Sequence, residues 1–451
     1  MEEFARDISG TNVTTKLERY RWVIVTIFAV FCAINFSQVV QFTIIANITS
    51  RYYNVGKAMV CSTVLVFGAC FIILFIPVGH CIEKYNLRTI ALVITGLTSV
   101  GNFVKLFAVS SDRFHLIIIS QTFSAIAQVF LRNIPTKVAS VWFGPDEVST
   151  ACAICVMACS IGTALGCLMP SFLVVDSIDL SDISNGFSTL FIVDSVSSIV
   201  IFLIVLFFFR SKPLYPPSHS QAIFRTNEEY NITNYWRYIK EIFNCKDYLL
   251  ILFSCGIPYG VGNAIRVLIN GIFLVYFPGN VSGAGFLAFL SVVAGGIFGT
   301  LFMGNILDKT HEFKAIALFT LSLNGLAWIM QAMAFHERSL LGVFTFFTIN
   351  GFFNGSLLII GCEYAMEITY PIPEPYAVSF LNVTIYLVTI IYIIVLQGVF
   401  EKLGSFTGQI IIALSYIIPT FGVLSISTDL KRRQANLMDT KPVNYGSISQ
   451  D

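Results

Sequence analysis

The feature that most limits what this chain can fold into is a series of twelve apolar runs. Each is about as long as a hydrocarbon layer is thick, since ~20 residues of helix cross a bilayer core. Bounded by charges, prolines and glycines, they are 22–46, 58–79, 89–109, 115–138, 148–175, 187–209, 249–276, 284–306, 313–335, 340–366, 376–400 and 406–427. They are called spans 1 to 12 below. Of the 451 residues, 56% are apolar and 12% charged, roughly half the charged share of a soluble domain. This excludes a soluble enzyme, a disordered chain, a coiled coil and a secreted disulfide scaffold. The expectation is an all-α integral membrane protein with twelve transmembrane helices, whose first partner is the lipid bilayer. The run from Trp22 is too long for the apolar core of a cleavable signal peptide. A net charge of +1 gives no reason to expect nucleic acid.

The polar stretch between spans 6 and 7 divides the chain. The expected parts are a head (1–21), a six-helix bundle (22–210), a linker (211–248), a second six-helix bundle (249–427) and a tail (428–451). In the linker, Tyr235, Ile239, Ile242 and Phe243 recur at helical spacing among charges. They read either as an amphipathic helix on the membrane surface or as an ordinary loop. Basic residues set the orientation. With the amino terminus inside, eighteen lie on inner segments, counting Lys314 at the inner edge of span 9, five on outer loops and four deeper within spans. Both termini are therefore expected in the cytoplasm. The sequons at Asn47 and Asn280 fall on outer loops, where glycans can be added. The eleven cysteines sit almost entirely in apolar runs and read as small apolar fillers. Metal ligation by Cys152, Cys155 and Cys159, which share a helical face, is the less favoured reading; no metal or cofactor is expected.

Span 2 is followed by Gly79-His-Cys-Ile-Glu83-Lys84 and then Arg88; span 8 by Gly304-Asn-Ile-Leu-Asp308-Lys309 and then Lys314. Both strings resemble the signature G-x-x-x-D-[RK]-x-G-[RK]-[RK] of the major facilitator superfamily. The first copy departs from it at Glu83 and Asn86. A glycine there lets helices approach, and acids facing bases form a breakable gate on which two halves can rock. The resemblance implies a major facilitator fold of two pseudo-symmetric bundles, with a gate of Gly79, Glu83, Lys84, Arg88, Gly304, Asp308 and Lys309. Glu363 and Glu367, at the inner end of span 10, are read as joining it.

Further strings narrow the resemblance. They are Asn35-Phe-Ser-Gln38-Val-Val-Gln41, Trp142-Phe-Gly-Pro-Asp-Glu147-Val-Ser-Thr-Ala151, Lys212-Pro-Leu-Tyr215-Pro-Pro-Ser218 and Glu363-Tyr-Ala-Met-Glu367-Ile-Thr-Tyr370-Pro371. Together they resemble the feline leukaemia virus subgroup C receptor family, solute carrier family 49, over roughly residues 20–430. That implies facilitative transport of choline and ethanolamine, with haem export also attributed to the family. It also implies an aromatic cage for a quaternary ammonium. By local alignment the cage tryptophan falls on Val39, one glutamine on Ser160, the tyrosine on Asn263 and another glutamine on Tyr386. The expected cage is therefore not intact, and Tyr386 supplies an aromatic wall from a new position.

Polar groups at membrane depth need partners or a wet cavity. Candidate substrate-binding residues are Asn35, Gln38 and Gln41 on span 1, Ser160 on span 5, Asn263 and Arg266 on span 7, and Asn382 and Tyr386 on span 11. Each amide also reads as interhelical glue. Gly256, Pro258, Gly260 and Gly262 are expected to break or bend span 7. Arg132 and Lys137 read as snorkelling bases, and Asp194 as a structural partner for a base. Spans 1 and 4 carry no acid at depth, which favours uniport over proton symport. Two arginines near the cavity suit an anionic or zwitterionic solute unless they are paired. His80, His115, His219, His311 and His336 all lie in loops or at helix ends, so no midplane histidine is available to ligate haem, which leaves tyrosine or cysteine for that role. No convergent catalytic cluster marks an enzyme. A receptor or sensor on a transporter fold stays as an alternative. A monomer in the plasma membrane is expected; Tyr445-Gly-Ser-Ile448 resembles a sorting signal that keeps an endosomal membrane open.

Overall fold

Every regular element in the computed structural model is helical among the residues it describes, which are 17–144, 147–217, 235–372, 374–427 and 430. The Tyr445–Ile448 string and His219 lie outside them. Spans 2 to 6 are Lys57–Lys84, Leu87–Leu106, Phe114–Asn133, Val148–Leu173 and Leu180–Phe208. Spans 7 to 12 are Lys246–Tyr276, Val281–Thr310, Phe313–His336, Leu340–Thr369, Glu374–Lys402 and Ser405–Leu424. These eleven helices are long and apolar enough to cross a membrane.

Span 1 corrects the expectation of one helix over 22–46. It is divided into Arg21–Ser37, Gln41–Ile44 and Ala46–Tyr53. The break falls on Gln38-Val39-Val40, where two β-branched residues follow each other. A break inside a membrane strands backbone groups that lipid cannot satisfy. Here the Gln38 carbonyl accepts from Gln121 Nε2 at 3.2 Å, and the Ser37 hydroxyl turns back to the Ile34 carbonyl at 2.8 Å. The last segment ends on Asn54 in the left-handed region, φ 51°, which asparagine tolerates. Asn47, expected on an outer loop, is on a helix, and its amide donates to Asp176 at 3.2 Å.

Span 7 is not interrupted by its glycines and proline. One wide turn, Leu252–Gly256, precedes Pro258, and the helix continues to Tyr276. Such a turn accommodates the proline's missing N–H without ending the helix. Span 4 stops at Asn133, and Pro135 opens a separate short helix to Trp142, so Lys137 lies outside the span. Both gate strings lie on the last turns of spans 2 and 8 rather than in loops after them.

Each six-span bundle packs mostly around its own apolar core, and Val40, Ile44, Ala164 and Cys167 of spans 1 and 5 join the core of the second. Glycines bring backbones together where spans cross. A Cβ at Gly162 or Gly166 of span 5 would collide with the backbone of Ala33 or Ser37 in span 1, and Gly295 of span 8 meets Gly351 and Gly355 of span 10 in the same way. Between spans 6 and 7, Tyr235–Asn244 is a helix. Its apolar side faces span 11: Phe243 meets Phe380 edge-on at 5.2 Å, Tyr238 lies 5.5 Å from Tyr376, and Ile242 is fully buried. The amphipathic reading therefore describes the helix, and span 11 covers part of its apolar side while Phe243 stays 45% exposed.

Candidate substrate site between the bundles

Arg132 lies in the last turn of span 4, and its guanidinium turns into the space between the bundles. It lies 5.1 Å from the ring centre of Phe36 on span 1 and 5.5 Å from that of Tyr386 on span 11. Tyr386 lies 4.8 Å from Phe71 of span 2, and Phe75, one turn on, meets Phe380 of span 11 at 5.5 Å. Tyr259 of span 7, Cys159 of span 5 and Cys362 of span 10 are close enough to feel the Arg132 charge. Arg132 thus stands among side chains of both bundles and yet is exposed. The surface it shows is that of an interior space. A cation over an aromatic face is held by the ring's quadrupole, by ~0.5–2 kcal/mol per ring depending on solvation. Arg266 of span 7 is half-buried and donates to Asn263 one turn before it.

The bundles are joined at the face opposite the linker helix. Asn270 of span 7 donates to the Ile44 carbonyl at 2.8 Å and to Asn47 Oδ1 at 3.1 Å, and accepts from the Asn47 backbone at 3.2 Å. The Ser282 hydroxyl of span 8 reaches the Ser171 carbonyl of span 5 at 3.4 Å. Below this seam, Ser160 of span 5 packs on Gly296 of span 8, where an added Cβ would sit 2.5 Å from its hydroxyl oxygen.

The sequence candidates divide. Tyr386 stands beside Arg132 between the bundles, Asn263 and Arg266 pair with each other on span 7, and Ser160 packs on Gly296 of the other bundle. Asn382 is half-buried and returns its amide to the Val378 carbonyl at 3.0 Å. Asn35, Gln38 and Gln41 do not face the space; they are buried inside the first bundle. The Asn35 amide donates to Thr98 at 3.2 Å and to the Ser124 carbonyl at 3.1 Å. Gln38 Oε1 accepts from Ser124 at 2.8 Å. Gln41 Nε2 donates to both Asp194 oxygens, at 3.1 and 2.9 Å. Asp194 pairs with Lys105 at 3.0 Å. Sequence reasoning missed Phe36 and Phe71, and read Arg132 both as a snorkelling base and as one of two arginines near the cavity. Nothing in the linear order marks three residues from spans 1, 2 and 4 as neighbours of Tyr386.

Glu83, Lys84, Arg88, Asp308 and Lys309 are exposed at the linker face. Arg88 donates to the Leu206 carbonyl at 2.9 Å, and Lys84 sits 5.8 Å from the Tyr85 ring. Lys137 donates to the carbonyls of Ile82 and Tyr85, tying the end of span 2 to the short helix after span 4. Burial holds its ammonium below the ordinary lysine range, and Glu83 nearby offsets part of that. Glu363 and Glu367 are half-buried on span 10 and both engaged. The two motif glycines correct their expected role: a Cβ at Gly79 or Gly304 would meet nothing within 4 Å, so neither is a close-approach point in this state. All eleven cysteines are free thiols.

Residues 26–391 match the Major Facilitator Superfamily. The choline/ethanolamine transporter flvcr2a of Danio rerio is 32% identical over 423 residues, covering 94% of this chain and 90% of the relative. The human choline/ethanolamine transporter FLVCR2 is 29% identical over 425 residues, covering 93% and 80%. Among solved structures, a bacterial homologue of the human lysosomal transporter Spinster aligns with a TM-score of 0.69 at 13% identity, covering 94% of this chain and 99% of that one. A D-xylose–proton symporter aligns with a TM-score of 0.70 at 10% identity, covering 91% and 98%. These last two bear on the fold alone.

Proposed function

Since the chain belongs to the major facilitator superfamily and, within it, to the family of the FLVCR choline/ethanolamine transporters, we propose that it carries choline, ethanolamine or a close relative by alternating access. The observation that carries this reading is the cluster of Phe36, Phe71, Tyr386 and Arg132, drawn from both bundles into one interior space. Aromatic faces hold an ammonium group without a full counter-charge, so the ion can also leave. Contact with both halves lets a bound solute bias how they rock. The Asn270–Asn47 seam closes the far face, and its bonds must part for the opposite state to form.

The remaining parts of the reading follow from charge. The linker face is cytoplasmic, as are both termini, because the basic residues gather there. The membrane is the plasma membrane, the carrier is a monomer of bundles 22–210 and 249–427, and no chemical step accompanies transport. Transport is uniport. Haem stands outside this proposal: the described histidines, His80, His115, His311 and His336, lie at or near helix ends, apart from the ring cluster.

One observation favours a second substrate class. Arg132 already occupies faces of Phe36 and Tyr386, and a second cation ~5 Å away is repelled by about 3 kcal/mol at an effective dielectric of ~20. An anionic or zwitterionic solute would meet attraction instead. Labelled choline uptake by cells expressing the native chain and Arg132→Gln separates the two. If choline is the substrate, the variant keeps uptake, with an unchanged or lower KM. If the solute must carry an anionic group, the native chain takes up a carboxylate- or phosphate-bearing amine in preference to choline, and Arg132→Gln loses it.

A further inference from the structure

We infer that Lys105 is a built-in cation. Its ammonium fills an oxygen-lined site for a monovalent cation inside the first bundle, and so keeps Asp194 from coupling transport to H+ or Na+. The site lies at the break in span 1. Lys105 Nζ is 3.0 Å from Asp194 Oδ2, 3.2 Å from Gln41 Oε1 and 3.5 Å from Gln38 Oε1. An ammonium has three N–H donors, and three oxygens from spans 1 and 6 converge on it. The surrounding shell orients those oxygens. Gln41 Nε2 bridges both carboxylate oxygens, Ser124 of span 4 donates to Gln38 Oε1, and Asn102 of span 3 donates to the Asp194 backbone carbonyl at 3.1 Å. Beneath Nζ lies the ring of Phe42, 5.7 Å away. Lys105 is 0% exposed and the Asp194 side chain 5%.

A carboxylate so placed cannot remain charged and alone; it takes a proton, a metal ion or a fixed cation. The groups facing it are Lys105 of span 3, Gln41 of span 1 and, across the backbone, Asn102; Gln38, Gln121 and Ser124 complete the shell. Lys105 is the one charge among them. The site also touches moving parts. Gln38 and Gln41 flank the break, and the segment beyond carries Asn47, which closes the far face on Asn270. An ion that came and went here would act on that seam, whereas a tethered ammonium cannot leave. The consequence for transport rests on the transporter reading; the site itself does not.

The test uses the purified full chain in detergent and needs no substrate. Thermal unfolding is followed from pH 8 to pH 6, in sodium chloride and in N-methylglucamine chloride of equal ionic strength. The native midpoint should be the same in both salts. Lys105→Met should unfold roughly 5 °C or more lower at pH 8 in N-methylglucamine. It should recover in sodium or as the pH falls, because either ion can take the place of the lost ammonium beside Asp194. Lys105→Met/Asp194→Asn should regain the loss and respond to neither ion. The inference is overturned if Lys105→Met is as stable as the native chain, if it responds to neither H+ nor Na+, or if the double variant is no better than the single one. Where Lys105→Met cannot be purified, recovery of an ion-insensitive double variant supports the inference and its failure overturns it. Absence of transport with this ion response would count against the transporter reading alone. Transport by a chain that lacks the response would count against the site alone.

Discussion

At the end of span 4, Arg132 sets its guanidinium against Phe36 and Tyr386, two rings from opposite bundles. If those rings form the substrate wall, Tyr386→Ala should raise the KM for choline at least tenfold, a loss of ~1.4 kcal/mol and within the range of a buried cation–π contact. Tyr386→Phe keeps the ring and should stay within about threefold; saturation curves at matched surface expression check both. Asp194→Asn leaves the Lys105 ammonium buried without its counter-charge. Breaking such a pair costs ~3–5 kcal/mol, so the variant should lose most of its thermal stability in detergent. Tyr386 could be singled out because its position could be set beside the family's, and its ring lies beside Phe71 and Arg132. Gln38 and Gln41 were legible as polar groups at depth, but not in their direction. The i, i+3, i+6 series of Asn35, Gln38 and Gln41 assumes one straight helix, and the break at 38–40 removes that premise. Lys105 was opaque for a simpler reason: its partners lie 64, 67 and 89 residues away in the chain. For the same reason a double substitution of Gln38 and Gln41 would disturb the first bundle before it reported on any substrate.

Among the elements, spans 1 and 5 cross backbone against backbone at Gly162 and Gly166. Gly166→Leu has nowhere to place its side chain except where the span 1 backbone now runs. It should abolish a monodisperse peak in size-exclusion chromatography, whereas Gly79→Ala meets open space on a helix and should leave thermal stability unchanged or raise it by up to ~1 kcal/mol. Run length and punctuation made the eleven long helices readable, since a membrane admits few other structures. They gave less about how helices end. Both gate strings belong to helix turns, because nothing in Gly79–Lys84 or Gly304–Lys309 stops a helix before a solvated loop begins. The linker helix showed its amphipathic spacing, but spacing does not say whether lipid or Phe380 covers the apolar side.

Across the whole molecule, the doubled gate string and the polar divide between spans 6 and 7 pointed to two bundles, and the structural relatives share that fold. The conformational state was not legible, because it depends on contacts such as Asn270 with Asn47, 223 residues apart. Orientation is checked by a carboxy-terminal epitope, which should be stained only after the cells are permeabilised. The central claim, that this chain moves a choline-type amine by alternating access without an ion gradient, is tested most directly by counterflow in proteoliposomes. Vesicles loaded with unlabelled choline, with equal pH and sodium on both sides, are diluted into labelled choline. The account predicts a transient accumulation of label above equilibrium, lost in Tyr386→Ala. No accumulation by a monodisperse, reconstituted protein, or accumulation only when a proton or sodium gradient is imposed, would contradict it.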